Sequence, residues 1–194
     1  MTTLLLVGSA VAVYIVPGAA DVLVFDRHAI LAGEWWRLMT GNLVHFSVKH
    51  LVYDGLAVGI SGALLEHERA PRLALLWLAA ALSVGVTALL GPSELVRFGG
   101  LSGIAYALVT ALALRGVAQA GTWRWLCVAT LALVAAKLGY ELTTARFLFV
   151  PSDGGVIPVP ASHAAGVVAA LVLAIGDRLV ARARWDACVI RHAS

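Results

Sequence analysis

The sequence predicts an all-α polytopic membrane protein: six transmembrane helices forming one membrane domain over residues 1–194. Three observations lead there. Of the 194 residues, 61% are apolar and only 13% charged, about half the charged share of a soluble domain. The mean hydropathy of +0.91 excludes both an ordinary soluble globule and a disordered chain. Apolar runs recur at about 4–24, 43–65, 71–91, 100–115, 123–143 and 160–180. Six spans of roughly 20 residues use about 120 residues and leave no room for a second soluble domain of usual size.

The first run is interrupted by Pro17-Gly18. It resembles the core of a signal peptide, but it lacks a basic leader and the later topology needs one more span, so it is read as a helix. The longest connection, 17–42, carries Asp21, Asp26, Arg27, Glu34 and Arg37. The following runs are separated by Glu66 to Arg72, by Gly91-Pro92, by Arg115-Gly116 and by the stretch from Arg146 to Pro160. Only helices and closed barrels satisfy their backbone in lipid, and runs this long and apolar are helices.

The formal net charge is +3, but the basic residues are scattered, which argues against nucleic acid and for membrane topology. Arg69, Arg72, Arg115, Arg124, Arg178, Arg182, Arg184 and Arg191 fall on one side of the predicted bundle. Arg27, Arg37, Lys49, Arg97 and Arg146 fall on the other. Cytoplasmic flanks retain Lys and Arg, so both termini are expected in the cytoplasm. Cys127 lies in an apolar run and Cys188 in the basic tail, so no disulfide is expected.

Ionisable groups within spans are costly and point to function. Three clusters stand out, each at the predicted outer end of its helix. His45, His50 and Asp54 open the second helix, with His50 and Asp54 one turn apart. Gly99-Gly100-Leu101-Ser102-Gly103, followed by Tyr106, opens the fourth, and Pro160-Ala161-Ser162-His163-Ala164-Ala165-Gly166 opens the sixth. Taken singly, each has a structural explanation: serine back-bonding, glycine packing, a histidine bonded between helices. Together at one depth they suit nucleophilic chemistry. A serine hydroxyl needs a base, and histidine titrates in the right range. Ser102 near a helix N-terminus has N–H groups suited to a developing oxyanion. No buried carboxylate obviously orients His163, so a two-residue pair is expected rather than a triad. Lys137, Tyr140 and Glu141 are left open between a lateral gate and snorkelling at a helix end. A zinc-type site from His45, His50, Asp54 and His163 is disfavoured. Histidines five apart do not share a helix face, and no Glu stands between them as base.

These motifs resemble the rhomboid family of intramembrane serine proteases. Gly100-Leu101-Ser102-Gly103 with Tyr106 is similar to the family's G-x-S-G plus Tyr, and Ser162-His163-Ala164-Ala165-Gly166 to the A-H-x-x-G of its sixth helix. The segment from His45 to Asp54 is similar to H-x-x-x-x-H-x-x-x-N, and Glu34-Trp35-Trp36-Arg37 to the Trp-Arg signature of the first outer loop. The resemblance implies a six-helix rhomboid-like bundle, Ser102 as nucleophile and His163 as general base. It implies Tyr106 against the imidazole, and His50 and the Ser102 N–H, beside Gly100, as oxyanion donors. Trp36 and Arg37 would belong to a structural loop, and Glu66 would be structural. No cofactor or metal is implied. The G-E-W-W-R-L-x-T loop and the H-F-S start are similar to the bacterial rhombosortase branch. That likeness implies an inner-membrane enzyme whose substrates are membrane-anchored proteins with Gly-Gly-type C-terminal sorting tails.

Asp54 departs from the family, which places Asn there. An ionised Asp cannot donate to an oxyanion. Either burial protonates it, or it binds His50 or Lys49 and leaves the oxyanion to other donors; the second is preferred. Two other functions fit the composition: a catalytically inactive relative that binds membrane clients, and a small transporter using His45, His50, Asp54 and Lys137.

Overall fold

The computed structural model describes residues 1–70, 72–144 and 159–193. Among these the chain forms α1 (Thr2–Ile15), α2 (Ala19–Leu23), β1 (Phe25–Asp26), α3 (Arg27–Leu31) and α4 (Arg37–Thr40). A 3-10 turn (Gly41–Leu43) leads to α5 (Val48–His67) and α6 (Leu73–Leu90). Then follow β2 (Arg97–Phe98), α7 (Ser102–Gly116), α8 (Thr122–Thr144) and α9 (Pro160–Ala193). Among the described residues, four helices are long and apolar enough to cross a membrane: α5, α6, α8 and the first part of α9, Pro160–Val180. Two more, α1 and α7, are apolar but shorter.

Several boundaries differ from the hydropathy runs. The first helix ends at Ile15 rather than near residue 24, because proline at 17 and Gly18 at φ +79° turn the chain away. The second starts at Val48 rather than 43, with the Ser47 hydroxyl accepting from the His50 N–H as its cap. His45 therefore precedes the helix instead of opening it. Gly99 to Leu101 likewise precede α7, which starts at Ser102 itself. The last helix runs on to Ala193, well past the predicted end. Arg146 and the connection through 158 lie outside the described residues.

The core is built around α7, which packs against α5, α6, α8 and α9. Leu101, Ile104, Ala107 and Leu108 meet Leu51, Val58 and Leu65 of α5, Ala80 and Ala81 of α6, and Ala169 and Ala170 of α9. Against lipid the gain comes from close packing, so small residues matter. A Cβ on Gly166 of α9 would overlap the Gly103 carbonyl of α7, and one on Gly85 of α6 would overlap the Leu38 carbonyl. At the other end of α5, Glu66 accepts from the Thr2 hydroxyl (2.6 Å) and the Thr3 N–H (2.8 Å), and pairs with the Met1 amine. This ties α1 to α5, a structural role.

The connection from 16 to 47 is a folded unit. Arg37, 9% exposed, pairs with Glu34 at 2.6 Å and donates to the carbonyls of Asp21 and Val24, both at 2.9 Å. Trp36 is half exposed, its indole N–H donating to the Val22 carbonyl at 3.4 Å. Arg27 donates to the carbonyls of Ala88, Leu89, Gly91, Pro92 and Leu95 at 2.7 to 3.1 Å, satisfying the last turn of α6, which has no helical donors left, and the backbone just beyond it. Strands β1 and β2 pair antiparallel, Phe25 with Phe98 and Asp26 with Arg97. This short ladder anchors the approach to Ser102 onto the first connection.

Candidate active site

Helix α7 has 15 residues, about 22 Å at 1.5 Å per residue, against roughly 30 Å of hydrocarbon. It is shorter than a helix that crosses the hydrocarbon by itself. The irregular backbone just before Ser102 is buried in protein, and its N–H groups at Gly100 and Leu101 are partnered. The Gly100 N–H donates to the Gly41 carbonyl at 3.4 Å, and the Leu101 N–H donates to His45 Nε2 at 3.3 Å. Gly100 has φ +136°, and a Cβ there would stand 2.8 Å from His50 Cε1. Only glycine fits, by backbone shape and by space.

The clusters of the second, fourth and sixth runs converge. Ser102 Oγ lies 3.1 Å from His163 Nε2. The Tyr106 ring stacks on the imidazole, centroids 4.4 Å apart and planes 18° apart. The Gly103–Gly166 crossing sets this approach, since Gly103 follows Ser102 directly and Gly166 lies one turn beyond His163. Ser162 turns away, its hydroxyl donating to the Val159 carbonyl at 2.7 Å.

Asp54 pairs with histidine rather than Lys49. Its Oδ2 lies 3.1 Å from His50 Nε2 and 3.2 Å from His45 Nε2. The two imidazoles meet edge to face at 5.0 Å. His45 is 5% exposed; its Nδ1 lies 3.1 Å from the Leu43 carbonyl. Nε2 thus faces both the Leu101 N–H and the Asp54 carboxylate, and Nδ1 faces the Leu43 carbonyl. Potential ligand atoms of His45, His50 and Asp54 lie within 4.8 Å of one another, close enough for a metal ion. A cation there would have to displace the Leu101 N–H from His45, so the residues fit a hydrogen-bonded cluster better than a metal cage. His163 is not part of that group.

One residue of this site is not evident from the sequence, where no buried carboxylate obviously orients His163. Glu141 of α8 is fully buried and its Oε2 lies 2.7 Å from His163 Nδ1. Its Oε1 pairs with Lys137, one turn earlier. Lys137 Nζ also donates to the Tyr106 hydroxyl at 2.7 Å, and that hydroxyl lies 3.5 Å from Glu141 Oε2. Lys137 and Glu141 thus face inward rather than snorkelling, while Tyr140 is 42% exposed. The signal available in the sequence was a Lys–Glu pair at i, i+4 within an apolar span.

A profile of the Rhomboid domain matches residues 32–178, a stretch holding every cluster described above. The chain is 29% identical over 197 aligned positions to the rhomboid protease GlpG of Enterobacter sp. (strain 638), an alignment covering 94% of this chain. The chain spans 65% of the length of that curated relative. With helices fit to cross a bilayer and a domain match over most of its length, this membrane protein belongs to the rhomboid family.

Proposed function

We propose that the protein is an intramembrane serine endopeptidase using Ser102 and His163. The observation that carries this is the 3.1 Å contact between Ser102 Oγ and His163 Nε2, a nucleophile within reach of its base. The similarity to a rhomboid protease supports it. In the proposed layout α1, α5, α6, α7, α8 and α9 are six membrane helices, with both termini cytoplasmic and the serine near the outer face of a bacterial inner membrane. The excess of arginine at one end of the bundle supports that orientation.

In the reaction, a substrate helix unwinds locally and presents a carbonyl to Ser102. Oγ bonds to the carbonyl carbon as its proton passes to His163 Nε2. The oxyanion meets the Ser102 N–H, one of the first-turn donors of α7 that have no helical acceptor. The C–N bond then breaks, the proton moves from His163 to the leaving amine, and water reverses the sequence on the acyl-enzyme. Tyr106 holds the imidazole plane. Asp54 holds His50 and His45 beside Gly100, leaving backbone N–H groups as the principal oxyanion donors.

The substrates proposed are membrane-anchored proteins, specifically those with Gly-Gly-type C-terminal sorting tails. The Glu34-Trp35-Trp36-Arg37 loop and the His45-Phe46-Ser47 start, similar to the rhombosortase branch, support this. A serine-directed fluorophosphonate should label the wild type and not Ser102→Ala, and terminal proteomics of the two strains should reveal the cleaved tails. A wild type that resists the probe sinks the protease reading. Cleavages common to both strains exclude those proteins as substrates.

A further inference from the structure

We propose that Glu141 is a positioning residue that completes a Ser102–His163–Glu141 triad, with Lys137 as its counter-ion. The proposal deepens the serine-protease reading and rests on it. The geometry is that of two ends of one ring: His163 Nε2 faces Ser102 Oγ at 3.1 Å, and Nδ1 faces Glu141 Oε2 at 2.7 Å. The second distance is in the range of a charge-assisted bond.

The chemistry follows from what each atom can hold. An ionised carboxylate only accepts, so the proton between it and His163 sits on Nδ1. Nε2 then presents its lone pair to the serine, the tautomer that a general base requires. When Ser102 Oγ bonds to the carbonyl carbon, its proton moves to Nε2 and the ring becomes an imidazolium. The Nδ1 proton stays on nitrogen, held by the negative Glu141, and the Nε2 proton leaves with the departing amine. Glu141 takes up no proton at any step.

A lone carboxylate at this depth would be costly. Lys137 answers that cost, because it pairs with Oε1 from the same helix and leaves Oε2 for the histidine. The lysine also reaches Tyr106, whose ring covers the imidazole. One Lys–Glu pair on α8 therefore governs both the tautomer and the tilt of the base on α9. A helix-packing pair alone would not need its second oxygen on His163.

The test uses the full chain in liposomes and the rate of Ser102 phosphonylation by a fluorophosphonate. Glu141→Gln should slow labelling by about 10²- to 10⁴-fold, and Glu141→Asp should recover a large part of it. Wild-type labelling with Glu141→Gln within about threefold of it overturns the triad and leaves the protease reading standing. Failure of the wild type to label overturns the protease reading, and the triad with it. If Glu141→Gln does not fold, nitrogen-labelled histidine NMR on the wild type decides. A strongly downfield Nδ1 proton on His163 supports the triad, and a neutral ring protonated on Nε2 overturns it.

Discussion

Replacing Gly166 by alanine isolates the contact that brings Ser102 and His163, the proposed nucleophile and base, together. Gly166 lies three residues beyond His163, and Gly103 directly follows Ser102. A Cβ on Gly166 would overlap the Gly103 carbonyl and stand 3.4 Å from the Ala107 nitrogen. These are backbone atoms of a packed helix with no flexible end to yield, so α7 and α9 must part by about 1 Å. The Ser102–His163 separation then grows from 3.1 Å to about 4 Å, beyond hydrogen-bond reach. Misplacement of that size costs about 10²-fold in rate. Overpacking costs about 1–3 kcal/mol, offset by about 1 kcal/mol for replacing a helical glycine. Activity should therefore fall much further than stability. The assay pairs fluorophosphonate labelling with thermal unfolding in detergent. Gly176→Ala is the control, because a Cβ there meets nothing within 4 Å. Wild-type labelling by Gly166→Ala, or an equal loss in Gly176→Ala, would refute the reasoning.

Three further outcomes follow from other contacts. Asp54→Asn keeps an oxygen acceptor for one histidine and should hold labelling within about tenfold of wild type; a loss approaching that of Ser102→Ala would show that the charge itself is required. Arg27→Lys should lower the melting temperature, losing about 2–4 kcal/mol, because a point charge cannot serve five carbonyls at once; a shift below about 2 °C would contradict the capping role. Burial alone would raise the Asp26 pKa, but the Ala29 N–H, the Arg97 guanidinium and the His28 N–H hold it below its ordinary value. A lowered folded pKa contributes stability above the unfolded value that is lost as pH falls through the folded one. The melting advantage of wild type over Asp26→Asn should thus be full near pH 6 and shrink below about pH 4; an advantage that grows in acid would reverse the sign.

Much of this was legible beforehand because the signals are local. The apolar runs located the major helices, and the motifs around His50, Ser102 and His163 could be aligned at one end of the bundle. Boundaries were less legible. Proline at 17 and the Ser47 cap compete with hydropathy, which averages over a window and does not see a single hydrogen bond. That same averaging placed His45 and Gly100 on helices that begin after them. Arg27 reads as a loop charge until the end of α6 is beside it.

Glu141 marks the limit most clearly. Along the chain it is an acid one turn from a lysine near the end of a span, and twenty-two positions separate it from His163. Periodicity places it on a face of α8 and is silent on what that face meets. Composition and spacing therefore determined the membrane setting and the major apolar helices, and singled out Ser102 and His163 as candidates. The bundle alone decided which glycines let α7 and α9 touch, and which carboxylate reaches the imidazole. Such pairings depend on ångström distances between segments remote in sequence, and no local pattern encodes them.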